Sequence, residues 1–314
     1  MITKQRLRDG FRKFWFPIES DRWLTTLRVG LGFQAILYAW SLRTDWNYLF
    51  TDRGGVISPR VSEAILSAQT SWVPRLSWLV AAGQAVGFNE EKVLFFSWIL
   101  LLVAGGGLIF GTFCRAAAIT AWFIHLCAAK SGGLMSYGVD NFMTIGLFYL
   151  SLAPLPDQSS LDRQWRRKFA AASQDRQLLG FWRRVLQVHL CFIYFFGGLT
   201  KSLGNGWWDG TNLWRSLIRP PFNIVSPETL LAWKFFFPIG GILILLLETG
   251  YPFFIWPKRT RHVWLLSICG MHVAIGLTMG MYLFSLVMII LNVAAFAPQF
   301  VSVPWLRRAR AAIA

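Results

Sequence analysis

Between Arg261 and Arg307 the chain carries forty-five residues without one Lys, Arg, Asp or Glu. Such a run is too apolar to leave in water and about twice as long as a single membrane-spanning helix, which needs roughly 20 mostly apolar residues. It predicts two spans joined by a tight hairpin, His262–Gly280 and Met281–Phe300, with the turn at Met279–Gly280. The rest of the chain has the same character. Of 314 residues, 55% are hydrophobic, 16% aromatic and 15% charged, and the mean hydropathy is +0.46. Soluble domains carry about 25% charged residues. Composition therefore excludes a soluble globular fold and a disordered chain, and predicts an all-α, polytopic integral membrane helical bundle.

Six further segments have the length and apolarity of spans: Trp23–Leu42, Val93–Cys114, Ala116–Ala129, Asn141–Pro156, Val185–Thr200 and Phe235–Pro257. The third is short and must borrow from both flanks. Eight spans put both termini on one side. That side holds twenty Lys and Arg and the other ten, so the positive-inside rule predicts cytoplasmic termini. The net charge of +16 then reads as a topology signal and an attraction to anionic lipid headgroups, not as a nucleic-acid patch.

The expected organisation is a basic amphipathic cytoplasmic segment over 1–22, a transmembrane domain over 23–300 and a cytoplasmic tail over 301–314. Met1–Phe16 lacks an apolar run followed by a small-residue cleavage site, so it is not expected to be a cleaved signal peptide. Within the external loop 43–91, Leu76–Phe88 is too short to cross and reads as an interfacial or re-entrant helix. The cytoplasmic loop 157–184, with Arg166-Arg167-Lys168, reads as an amphipathic surface helix. Cys114, Cys127, Cys191 and Cys269 sit in apolar stretches without CxxC spacing and are expected to be core residues. The pairs Gly107/Gly111 and Gly276/Gly280 are spaced for close helix approach.

Ionisable groups at membrane depth are costly and so are the candidates for function. They are Arg28, His125, Asp140, His189, Lys201, Glu248 and His272. Arg28 could snorkel or pair with an acid such as Asp21. His125 and His189 read as hydrogen-bonded core residues. Glu248, mid-span, needs a cationic or donor partner or must carry a proton. Asp140 opens span 4, where negative charge suits a helix N-terminus, Lys201 closes span 5, and His272 lies ~12 Å below the external turn at 1.5 Å per residue. If these helices pack together, an ammonium, an imidazole and a carboxylate share one cavity, and the lysine can act as a general base. A lysine snorkelling from a helix end is the alternative. The scattered histidines give no metal motif, and GxSxG, P-loop and GxGxxG patterns do not occur.

Three segments resemble the horizontally transferred transmembrane (HTTM) family, the membrane-domain family of vitamin K-dependent gamma-glutamyl carboxylases. They are Asp21–Phe33 (DRWLTTLRVGLGF), Tyr137–Asp162 with its YGVDNF start, and Tyr194–Gly210 (YFFGGLTKSLGNGWWDG) together with Gly270–Met288 (GMHVAIGLTMGMYLFSLVM). The resemblance implies chemistry on the external face. A lysine deprotonates a reduced, vitamin K hydroquinone-like quinone, O2 adds, and proton abstraction from a glutamate can be coupled to capture of CO2. It implies Lys201 as the base, with His272 and Asp140 orienting the ring oxygens; Asp140 stands where the family has a histidine. Trp207, Trp208, Arg28, Tyr137 and Asn141 are the substrate-contacting candidates, and no metal is implied.

The expected partners are membrane lipids, the lipid-soluble quinol and a secreted peptide or accessory protein. The carboxylases that the chain resembles carry a sizeable luminal peptide-binding domain; here the expectation is that another protein presents any peptide substrate. The expected location is a bacterial inner membrane with the active face periplasmic. The rival expectation, from a different class, is a non-catalytic factor for maturation or export of a secreted peptide or toxin. A transporter would show internal repeats and broken mid-membrane helices, and neither is visible.

Overall fold

The computed structural model describes residues 2–51, 59–69, 72–132, 136–167 and 175–297, and every regular element among them is helical. In chain order, α1 (Ile2–Trp15), α2 (Arg22–Ser41), α3 (Trp46–Phe50), α4 (Pro59–Gln69) and α5 (Leu76–Ala85) lead into α6 (Glu90–Phe110), α7 (Cys114–Ser131) and α8 (Gly138–Leu152). The short α9 (Leu161–Arg167) precedes the long α10 (Arg176–Ser202). Then come α11 (Asn205–Trp208), α12 (Thr211–Ile218), α13 (Pro227–Ala232) and a 3-10 turn at Lys234–Phe236, followed by α14 (Phe237–Phe254), α15 (Lys258–Met279) and α16 (Tyr282–Phe296).

Each of the eight expected spans falls on a helix: α2, α6, α7, α8, α10, α14, α15 and α16. Among the described residues three helices, not eight, are long and apolar enough to cross a membrane: Glu90–Phe110, Lys234–Phe254 and Lys258–Met279; α16 is apolar but shorter. The others are diluted by polar residues or curtailed. Arg22, Arg28 and Gln34 lie on α2, Arg115, His125 and Lys130 on α7, and Arg176, Arg183, Arg184 and Lys201 on α10, while α8 has only 15 residues. The described residues are thus all-helical, with three helices of the length and apolarity that a membrane crossing needs.

Helix ends follow local chemistry. Gly280 caps α15 at φ 69, a left-handed conformation that a side chain disfavours, so the hairpin turn sits where the sequence predicts it. Asn89 accepts from the Lys92 N–H at 3.0 Å to start α6, with Glu90 and Glu91 in its first turn. The basic loop is a correction. Asp175 accepts from the N–H groups of Gln177 and Leu178 and starts α10 there, so Arg176–Arg184 extend α10, and among the described residues the loop's own helix is α9. Residues 168–174 and the tail 301–314 lie outside the described residues.

The chain divides into two units. The first comprises Met1–Trp23, Asp175–Tyr282 and Met288–Ala314. In it α10 and α14 form the most extensively packed pair, because small residues let the backbones close. A Cβ on Gly198 would lie 2.8 Å from the Thr249 nitrogen, and one on Gly241 would lie 2.0 Å from the Trp207 oxygen. The α1 segment returns onto α10 at Gly180, where a Cβ would meet the Pro17 oxygen, and Phe16 stacks on Phe181 at 5.1 Å.

The second unit comprises Leu24–Gln174 and Leu283–Val287. Leu24, Leu27 and Leu31, three and four residues apart on one face of α2, are fully buried. Gly32 and Gly105 bring α2 and α6 into backbone contact. Arg28, also buried, meets Asp157 rather than Asp21. Its Nε pairs with Asp157, its Nη1 donates to the Leu108 and Ile109 carbonyls, and its Nη2 donates to Ser159 Oγ at 2.9 Å. Gly111, at φ 75, closes over Ser160, and Asp162 accepts from the N–H groups of Phe113 and Cys114 to start α7. Two of the segments that carry the family resemblance thus meet in one clamp.

Candidate functional site

The site in the first unit is assembled on the α10–α14 seam. Leu190, Tyr194 and Gly198 recur every four residues on α10, and Lys201 continues that face one turn on. Gly197 and Gly198 admit α14 so closely that Glu248 reaches Lys201: Lys201 Nζ donates to both carboxylate oxygens, the first at 2.5 Å. Glu248 is nearly buried, while the lysine is 29% exposed. The Lys201 ammonium also lies 5.3 Å from the centre of the Trp207 ring, a cation–π distance. Glu248 thereby acquires the cationic partner that its depth demands.

A buried polar chain runs beside this pair. Asn292 Nδ2 donates to the Met288 carbonyl at 2.8 Å, which fixes the amide's orientation because a carbonyl only accepts. Its Oδ1 therefore accepts from Tyr251 Oη at 2.6 Å, and its Nδ2 also donates to Tyr194 Oη at 2.7 Å. Tyr194 Oη lies 2.8 Å from His272 Nε2. The donor in that last bond depends on the imidazole tautomer, because a hydroxyl already accepting from Asn292 still has a proton to give and a lone pair to offer. Tyr251, Asn292, Tyr194 and His272 thus form one continuous buried chain. His272 is close enough to Lys201 to feel its charge, as Tyr194 is to Glu248.

Asp140 belongs to the second unit, where it acts first as a cap. It stands at the third position of α8, accepts from the Tyr137 N–H at 2.9 Å, and so completes a capping box. Its other oxygen accepts from Tyr38 Oη at 3.0 Å. Asp140, Tyr38 and Tyr137 line a cavity of about 150 Å³ with the Arg75–Glu63 ion pair on its wall. Within its own unit Asp140 is thus a helix cap and a cavity wall.

The remaining candidates divide. Trp207 stands against the lysine; Trp208 is half exposed and donates to the Ser202 carbonyl at 2.9 Å. Asn141 is exposed on α8. Arg28 has its guanidinium committed to Asp157, Ser159 and two carbonyls, the geometry of a clamp. His125 is a core histidine, 3.1 Å from Thr144 Oγ1 and edge-on to Tyr38. Among the described residues no group of three or more His, Cys, Asp or Glu is placed to hold a metal ion.

Sequence reasoning missed Tyr194, Tyr251, Asn292 and Asp157. Asn292 had a usable signal, as the single amide in the apolar segment Tyr282–Phe296; the tyrosines had none among so many aromatic residues. No family model matches the chain, no curated protein matches it, and no solved structure matches it.

Proposed function

We propose that this protein crosses the membrane eight times with cytoplasmic termini and acts at its external face on a lipid-soluble quinol, by the carboxylase-like chemistry of the HTTM family. The observation that carries the reading is the Lys201–Glu248 pair beside the buried hydrogen-bond chain that ends on His272. Lys201 becomes a base only after giving up a proton, and Glu248 is the group positioned to take it. Lys201 then accepts a proton from a quinol hydroxyl, while the Tyr194–His272 pair orients the ring oxygens. The donor set fits such a substrate: a part-exposed ammonium for the hydroxyl, an imidazole held by Tyr194 and a Trp207 face for a flat ring. The quinol gives up four electrons to O2, two in passing from hydroquinone to the quinone level and two in epoxidation of its ring double bond, one oxygen atom being retained in the epoxide and the other leaving as water with the two hydroxyl protons. Coupling to glutamate carboxylation would require CO2 and a peptide presented by a partner. A bacterial inner membrane with a periplasmic active face is the matching location.

The test is turnover of a reduced naphthoquinone or ubiquinol with O2 by the lipid-reconstituted protein, with epoxide and quinone followed by mass spectrometry. Epoxide that disappears in a folded Lys201→Ala supports the reading; undiminished turnover in that variant sinks it.

A second reading draws on the same ion pair. Lys201 and Glu248 tie α10 to α14, as a purely structural bridge would, and the protein would then be a non-catalytic factor for maturation or export of a secreted peptide. That reading expects no quinol turnover, a co-purifying secreted partner, and full partner binding by a Lys201→Met/Glu248→Leu double variant.

A further inference from the structure

We propose that the groove on the first unit formed by α1, α10, α14 and the start of α15 is a binding site for one anionic phospholipid, its phosphate on Arg184 and Arg261 and an acyl chain along Phe192, Phe195 and Phe253. The site is separate from Lys201, which lies seventeen residues further along α10, about 25 Å at the helical rise. It requires only that this unit sits in a bilayer.

The cations are held in advance of any ligand. The Arg184 guanidinium lies 4.6 Å from the Phe14 ring centre and 4.7 Å from that of Trp256. Its Nε donates to the Phe14 carbonyl and its Nη1 to Gln187 Oε1, each at 2.9 Å. Arg261 is fixed by bonds from Nε to the Ile255 carbonyl at 3.2 Å and from Nη2 to the Trp256 carbonyl at 2.7 Å. The acid whose charge reaches both arginines is Glu19, which is already paired with Arg183 at 2.7 Å. Among the described residues neither Arg184 nor Arg261 makes an ion pair. Three guanidiniums share one carboxylate, so two positive charges are left at one end of the groove.

The rest of the groove is apolar. It encloses about 720 Å³, within the range of roughly 300–1,000 Å³ usual for ligand sites. Cations at one end and phenyl walls beyond them match an amphiphile with an anionic head, and basic pockets between membrane helices recognise lipid phosphates in this way. Free phosphate could use the arginines but not the walls. Fixing the guanidiniums beforehand lowers the ordering cost of binding.

The test titrates the purified full-length protein in detergent with dioleoyl phosphatidylglycerol, dioleoyl phosphatidylcholine and, as a soluble headgroup, glycerol phosphate, with binding counted by native mass spectrometry. Phosphatidylglycerol is expected to bind one per protein and at least about tenfold tighter than phosphatidylcholine, with glycerol phosphate far weaker than either. Arg261→Gln leaves every contact of Arg184 in place and should weaken phosphatidylglycerol about fivefold; Arg184→Gln/Arg261→Gln should weaken it about thirtyfold and leave phosphatidylcholine unchanged. Arg6→Gln/Arg8→Gln removes the same charge from α1 and should retain the preference. Equal binding of the two lipids, glycerol phosphate as tight as the lipid, or no loss in Arg261→Gln would overturn the site.

Discussion

Asp157→Asn is the sharpest test of what holds the second unit together. Asp157 is fully buried and accepts from Arg28, from Thr25 Oγ1 at 3.0 Å, from the Ser159 N–H at 2.9 Å and from Ser159 Oγ at 2.6 Å. Asparagine keeps the shape and some acceptor capacity but removes the charge, leaving the buried Arg28 guanidinium facing only neutral oxygens. Breaking a buried pair in this way costs about 3–5 kcal/mol. The amide oxygen still accepts, so the low end applies, and at roughly 2–4 °C per kcal/mol the melting temperature should fall by about 6–12 °C. A thiol-reactive fluorophore that reports exposure of the buried Cys114 and Cys127 reads this during heating. The double variant Arg28→Met/Asp157→Leu removes both charges together and should recover at least half of the loss, since an apolar replacement of an ion pair is often neutral. A single variant within about 2 °C of the parent, or a double variant worse than the single, would refute the clamp.

The same carboxyl sets a pH dependence. Burial raises its pKa, but the hydrogen bond and charge of Arg28, with Ser159, outweigh burial and hold it below the usual carboxylate range. A depressed carboxyl stabilises the fold above its unfolded pKa of about 3.9, and that contribution is lost as pH falls through the folded value. The melting temperature should therefore be flat from pH 7 to about 5 and fall below about 4, with a shallower acid limb in Asp157→Asn. Tyr194→Phe removes the hydroxyl between Asn292 and His272. It should cost about 1–3 kcal/mol in denaturant unfolding and, if the quinol reading holds, lower turnover at saturating quinol by tenfold or more, on the order of a general acid–base step. Gly198→Leu forces α14 away from α10; mass-spectrometric labelling should then find Lys201 more reactive toward acetylation, and unchanged labelling would contradict the packing.

The helix positions were legible in the sequence because apolarity and charge are local properties. Among the described residues each of the eight expected segments falls largely on a helix, three of those helices are long and apolar enough to cross a membrane, and the turn at Gly280 lies where the uncharged run predicts it. The ionisable residues at depth were legible too, since a charge in an apolar run stands out without any coordinates. Their partners were not. Arg28 finds Asp157 129 positions away, and Lys201 finds Glu248 47 positions away; hydropathy carries no information about which helix faces which. Glycines carry a trace of it, as Gly197-Gly198 marks the seam where α14 approaches, but the same spacing is common wherever helices pack.

Asp140 shows the limit most clearly. Its place at the start of a helix was readable from sequence, and so was its fitness for an N-terminus; grouping it with Lys201 and His272 was an inference about packing. Tertiary structure decided that Asp140 caps α8 and binds Tyr38, and that Asn292 and Tyr194 stand in line with His272. The sequence by itself determined a chain of apolar helices with a few ionisable residues inside them, because burial and charge are properties of each residue. Only the tertiary structure decided which of those residues share a hydrogen bond, because a bond needs two groups within about 3 Å and helix packing alone brings them there.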